Sequence, residues 1–170
     1  MGGLDMTDKL RALTSGEIEL ARSVFGDRIR YDRVRLSDGY GLNPIAFVAL
    51  RQPGTDAITI RRTIYFGGHY HPDFAAADTI AQGLLVHEMT HIRQWAELGI
   101  VRFLLRYARD FLSTGGDRKA MYLYKPRDPF PEARIEAQAQ MVQHYYVARA
   151  DKKPLADLEA SLAGSGCHGH

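Results

Sequence analysis

The chain has 170 residues, with 22 Lys and Arg against 20 Asp and Glu and a formal net charge of +2. That length suits one domain with its own core and leaves little for a second. The charge excess is too small to mark a nucleic-acid groove or an anionic membrane patch, and the single cysteine, Cys167, excludes an intramolecular disulfide. No apolar run approaches the ~18 residues of a membrane span. The N-terminal residues 1–13 mix charges with apolar residues and lack a signal-peptide core. The expectation is a cytoplasmic protein without a signal peptide, with export by a signal-less route left open.

In chain order, residues 1–12 read as a frayed start. Thr14 and Glu17 have capping-box spacing, which predicts a helix over 15–25 ended by Gly26. Alternation over 28–36 predicts a strand turning at Asp38-Gly39. The apolar run 44–50 (PIAFVAL) reads as a further strand. Residues 57–60 and 63–66 read as a hairpin about Arg61-Arg62, followed by a loop over 67–73. From 76 to 98 the pattern is that of a buried helix, apolar nearly all round and closed by Gly99. A second amphipathic helix covers 101–112. After a connection over 117–130, Pro131 is a favoured first helical residue and predicts a helix to about 150. A short helix over 155–162 precedes a tail, GSGCHGH, expected to be disordered. The whole reads as one α+β domain, a small sheet first and helices after.

The buried helix carries His87-Glu88-Met89-Thr90-His91, an HExxH. Histidines at i and i+4 project from one helix face, about 40° apart, so both imidazoles can reach one zinc ion. Glu88 lies one position round, where its carboxylate can act as general base on metal-bound water without being a ligand. The flanks are Leu84-Leu85-Val86 and Ile92. Two histidines and a carboxylate in such a setting would cost several kcal/mol unless satisfied, and a divalent cation satisfies all three.

Catalytic zinc takes a third protein ligand. No histidine follows at short spacing, since residues 92–98 are IRQWAEL, so a carboxylate on a later helix is expected. Glu132 and Glu136 are the choices. Glu132 is explained by the favourable helix dipole of a first turn. Glu136 lies a turn deeper among Ile135, Ala139 and Met141, and is favoured as the third ligand.

Taken in order, LTSGEIELARSVFGDRIRYDRVRL, TIYFGG, LLVHEMTHIRQW and IEAQAQMV resemble bacterial Vgr-related proteins. They also resemble the zinc metallopeptidase-type core domain associated with extracellular contractile injection systems (eCIS). The resemblance spans residues 13–146. It implies a small zincin-like fold of the minimal gluzincin kind. The domain is expected over 13–150, with flexible termini at 1–12 and 164–170. In such a domain His87, His91 and Glu136 would hold Zn²⁺, Glu88 would be catalytic, and Gln94 would match a Gln that follows the motif. The 63–66 strand would be the edge on which a peptide substrate adds. Gln143-His144 departs from the family pattern, where acidic residues are expected.

His144, Tyr122, Tyr124, Tyr145 and Tyr146 could donate to an oxyanion, yet each has an ordinary packing or surface role. His69 and His71 read as a solvated loop, and Arg102, Arg106 and Arg109 as a solvated face. The leading expectation is a zinc-dependent peptidase acting on a peptide or protein. The alternative is a zincin-fold binding or assembly module, attached to secretion-system components, that holds metal and cleaves little. Neither a nucleic-acid nor a membrane partner is expected, and a DNA-associated metalloprotease has no electrostatic footprint here.

Overall fold

A computed structural model describes residues 10–167. Of the frayed start expected over residues 1–12, residues 1–9 lie outside the described residues, as do the last three, His168 and His170 among them, whereas Leu10–Ala12 are paired in the sheet. Four strands, β1 (Leu10–Ala12), β2 (Arg35–Asp38), β3 (Ala57–Ile60) and β4 (Thr63–Phe66), form one mixed sheet in the order β1-β2-β4-β3. The β1–β2 and β3–β4 pairs are antiparallel, and β2 runs parallel to β4. Helices α1 (Ser15–Phe25), α2 (Pro44–Leu50), α3 (Thr79–Ser113), α4 (Ile135–Ala150) and α5 (Ala156–Leu162) complete the α+β domain.

Helix α1 begins where the sequence signals it: Thr14 and Glu17 form the capping box. Glu17 does more than cap. Fully buried, it accepts two 2.7 Å bonds from Arg11 and one each from the amides of Thr14 and Phe74, both 2.9 Å. Arg11 also donates to the Tyr70 hydroxyl at 2.8 Å and to the His71 carbonyl at 2.9 Å. One buried acid thus ties β1, α1 and the loop after β4 together.

Three expected elements differ. The 28–36 strand begins only at Arg35, because the buried Tyr31 ring sends its hydroxyl back to the Gly26 carbonyl at 2.6 Å and curls residues 31–33 into a 3-10 turn. The run 44–50 is helical, not extended. Asn43 caps the amides of Ile45 and Ala46, and Pro44 stands in the first turn, where its missing N–H costs nothing. Residues 130–132 make a separate 3-10 turn, and extended backbone at Ala133 and Arg134 delays α4 to Ile135.

Helix α3 runs through the centre of the molecule. Leu85 to Gln94 are all buried, so ten consecutive residues touch protein on every side. Against α4 the approach is close at Gly83, where a Cβ would come within 2.8 Å of Val147 Cγ2. Gly99 breaks α3 with φ 72°, ψ 172°, a conformation that favours glycine. Beyond it Phe103 folds back to stack on Trp95, ring centres 3.9 Å apart.

The tail also differs from expectation, since Cys167 is fully buried. Arg93 of α3 donates to its sulfur and, at 2.7 Å, to the Ser165 carbonyl. Ser165 and Cys167 are therefore held against α3, a contact between distant parts of the chain that composition cannot show.

Replacing Glu17 with Ala strands the Arg11 guanidinium and uncaps α1. Urea unfolding should show a loss of about 2–4 kcal/mol, and a loss under about 0.5 kcal/mol would mean the pair behaves as a solvated one.

Candidate metal centre

His87 and His91 stand one turn apart on the buried stretch of α3, and Glu136 is the second residue of α4. Their ligand atoms lie within 4.8 Å of one another. Glu136 Oε2 is 3.4 Å from His87 Nε2 and 3.1 Å from His91 Nε2. All three residues are at least 93% buried. Glu132 is exposed in the preceding 3-10 turn. Of the two carboxylates weighed, Glu136 is the one beside the histidines.

The start of α4 is held by the second half of α3. Asp110, 3% exposed, accepts from the Ile135 amide at 2.9 Å. Arg106 donates to the Ala133 carbonyl at 2.8 Å and stands 3.8 Å from Asp110. Arg106 is therefore not part of a solvated face as expected, although Arg109 is, with its side chain 74% exposed. Asp110 is not among the residues that the sequence motifs single out. The available signal was its position seven residues after Phe103, on the inward side of the helix.

Behind His91 the hydrogen bonding is directional. Gln94 donates to the Ile135 carbonyl and to Gln138 Oε1, both at 3.0 Å, which leaves its own Oε1 to accept from His91 Nδ1 at 2.7 Å. With Nδ1 holding the hydrogen, Nε2 of a neutral imidazole turns its lone pair towards Glu136. Two lone pairs at that separation repel unless a proton or a cation lies between them. Burial alone would lower the His91 pKa, but the Glu136 charge outweighs it and holds it up at about 9. The same pairing, working against burial, depresses Glu136 far below the carboxylate range. A set of two imidazoles and one buried carboxylate with no Lys or Arg partner among the described residues suits Zn²⁺. His87 Nδ1 is buried without a hydrogen-bond partner, so only one of the two rings is oriented from behind.

Glu88 faces the sheet. Its Oε2 accepts from the Thr59 hydroxyl at 2.7 Å, and Thr59's carbonyl accepts from Trp95 Nε1 at 3.2 Å. Thr59 belongs to β3, and here the structure corrects an expectation. The 63–66 strand is β4, interior between β2 and β3, while β3 is the sheet edge beside the HExxH helix. The hairpin was legible, but which arm lies outside was decided by the parallel pairing of β4 with β2.

Tyr122 stacks on His87 with ring centres 5.8 Å apart and 21° between planes. Burial, reinforced by the charge of Glu136, raises its pKa and keeps the hydroxyl a donor. Tyr122 also walls a cleft of about 390 Å³ shared with Tyr124 and His144. Those two are paired with each other at 2.6 Å. His69 lies in an exposed loop near Asp56, and His71 packs on Phe74, both away from the centre.

The comparisons agree with this architecture. A family model described as the eCIS core domain matches residues 19–98. The type VI secretion system spike protein VgrG2b of Pseudomonas aeruginosa is 35% identical over 156 residues, which are 88% of this chain but 14% of the spike protein. The solved effector domain of P. aeruginosa VgrG2b aligns with a TM-score of 0.67 and 32% identity, covering 96% of this chain and 87% of that one. These relatives are Vgr-type secretion-system proteins and their effector domain. The chain belongs to the family of the VgrG2b effector domain.

Gln94→Ala should leave the fold intact and weaken metal retention about 10–100-fold, read by competition with a chromophoric chelator. Glu136→Ala should weaken it further, and Glu132→Ala not at all. A reversed order for the two glutamates would remove Glu136 from the ligand set.

Proposed function

We propose that this chain is a secretion-associated effector module with a zinc-dependent peptidase centre of the minimal gluzincin kind. The observation that carries the reading is the convergence of His87, His91 and Glu136 in a buried space, with a fourth ionisable residue, Glu88, beside them and held by Thr59. Membership in the VgrG2b effector-domain family supports the secretion-associated part. The hydrolytic part rests on the chemistry of these side chains.

When bound, zinc supplies Lewis acidity, polarising a carbonyl and making water acidic near neutral pH. The chain's residues divide the remaining work. His87, His91 and Glu136 bind the ion, and Gln94 fixes the ring of His91. Glu88 takes the proton of the attacking water and delivers it to the leaving amine. The Thr59 hydroxyl occupies Glu88 Oε2, so one oxygen is anchored while the other stays open to accept. Phe103, Met121 and Ile135 form a small core beside the centre, and its low polarity strengthens every charge interaction within.

A second reading has its own support. In the zincin picture a peptide pairs with the edge strand, and at Thr59 the edge carbonyl is taken by Trp95. A module that holds zinc for structure and association would tolerate that contact.

The two readings separate experimentally. Elemental analysis should find about one zinc per chain. Glu88→Gln should retain that zinc and lower hydrolysis of a peptide library by at least about 10²-fold. Equal processing by wild type and variant would leave only the metal-holding module, and absence of metal after zinc-replete expression would sink both. Chelation should lower the unfolding temperature of wild type, since an ion present at 100 times its Kd contributes about 2.7 kcal/mol.

A further inference from the structure

Away from the His–Glu centre, one concavity combines concentrated positive charge with an apolar floor. It holds about 270 Å³ where the β3–β4 turn, the segment following α1 and the middle of α3 meet. Arg28, Arg30, Arg61, Arg62 and Arg93 rim it, and Ile29, Ile92 and Trp95 help to line it. Two of the arginines have acidic partners: Arg30 lies 3.5 Å from Asp32, and Arg93 lies 2.6 Å from Glu97. Arg28, Arg61 and Arg62 have neither an ion pair nor a side-chain hydrogen bond among the described residues. Arginines brought together without matching acids repel one another, and an anion in their midst relieves that repulsion. Arg61 also sits at φ 58°, in the left-handed region, at a turn position where glycine or asparagine is the unstrained choice.

We propose that this arginine-rimmed pocket binds the acidic side chains of an extended polypeptide. Its place in the fold selects that ligand. Arg61 and Arg62 follow directly on β3, two and three residues beyond Thr59, whose hydroxyl meets Glu88 and whose carbonyl meets Trp95. At about 3.3 Å per residue, a peptide following β3 past Glu88 reaches the pocket within two or three residues. This alignment rests on the peptide reading given above. The aliphatic lining accepts the stem of a glutamate or an adjacent apolar side chain, while the guanidinium groups take the carboxylate. A nucleic-acid ligand fits less well. Trp95 is already stacked face to face on Phe103, with 16° between planes, and is not free to receive a base.

Trp95 is the only tryptophan in the chain, so its fluorescence reports occupancy of the pocket. The Glu88→Gln chain with zinc, and zinc-stripped wild type in parallel, would be titrated with a decapeptide alternating Glu and Leu, with its Gln-Leu counterpart, and with inorganic phosphate. The acidic peptide should bind with a change in Trp95 emission, and the amide counterpart about tenfold or more weaker. Binding should weaken as salt is raised. The double variant Arg61→Gly/Arg62→Ser should lose about tenfold in affinity while its unfolding temperature holds or rises, because glycine relieves the turn. Equal binding of the two peptides, unchanged affinity in the double variant, or phosphate binding as tightly as the acidic peptide would each overturn the proposal. If wild type cleaves nothing while the acidic peptide still binds through the arginines, the peptidase reading falls and the pocket stands. If peptides are cleaved without regard to acidic residues and none of these titrations responds, the pocket falls and the peptidase reading stands.

Discussion

A carboxylate taken out of water between two imidazoles is the constraint around which the rest of the domain is arranged. Glu136 is 7% exposed, and its ion-pair partners among the described residues are His87 and His91. Such a group is tolerated only with positive charge beside it. Proximity alone is insufficient, because the three side chains come from two helices that must hold their separation to a fraction of an ångström. Gln94 reaches from α3 to the Ile135 carbonyl at the mouth of α4, and Asp110 takes the Ile135 amide from the other side. The first residue of α4 is thus gripped at both its donor and its acceptor, next to the residue that needs to be placed.

The two grips come from opposite halves of α3, and the break at Gly99 makes this arrangement possible. A straight helix of 35 residues would carry Asp110 some 24 Å along the axis from Gln94 at 1.5 Å per residue. The change of direction at Gly99 brings the second half back so that Phe103 stacks on Trp95 and Asp110 meets α4. The same stack presents the indole edge to the Thr59 carbonyl, and thereby fixes β3 against the helix that bears Glu88. One left-handed glycine links the His–Glu cluster, the sheet edge and the arginine pocket.

Much of this plan is legible in the residues themselves. The capping box of α1, the hairpin over 57–66, the buried helix ending at Gly99 and the HExxH spacing all depend on neighbours within four residues, where period and turn chemistry act directly. That Glu136 rather than Glu132 would stand beside the histidines was also within reach, because an acid among Ile135, Ala139 and Met141 calls for a partner. Residues 44–50 are helical where a strand is expected, because an apolar run of seven suits a strand or a helix equally and the Asn-Pro start is the better guide. Asp110, Thr59 and Arg93 leave no local signal, since each acts on a residue more than twenty positions away.

The sequence by itself determined the side-chain types of the candidate metal site and their order, because two histidines four apart on a helix share a face whatever surrounds them. It also determined that they would be buried, through the apolar residues on every side of that helix. Only the tertiary structure decided which strand is the sheet edge and what holds Glu136 beside the histidines. Those outcomes follow from the parallel pairing of β4 with β2 and from the turn of α3 at Gly99, neither of which leaves a periodic trace in the chain.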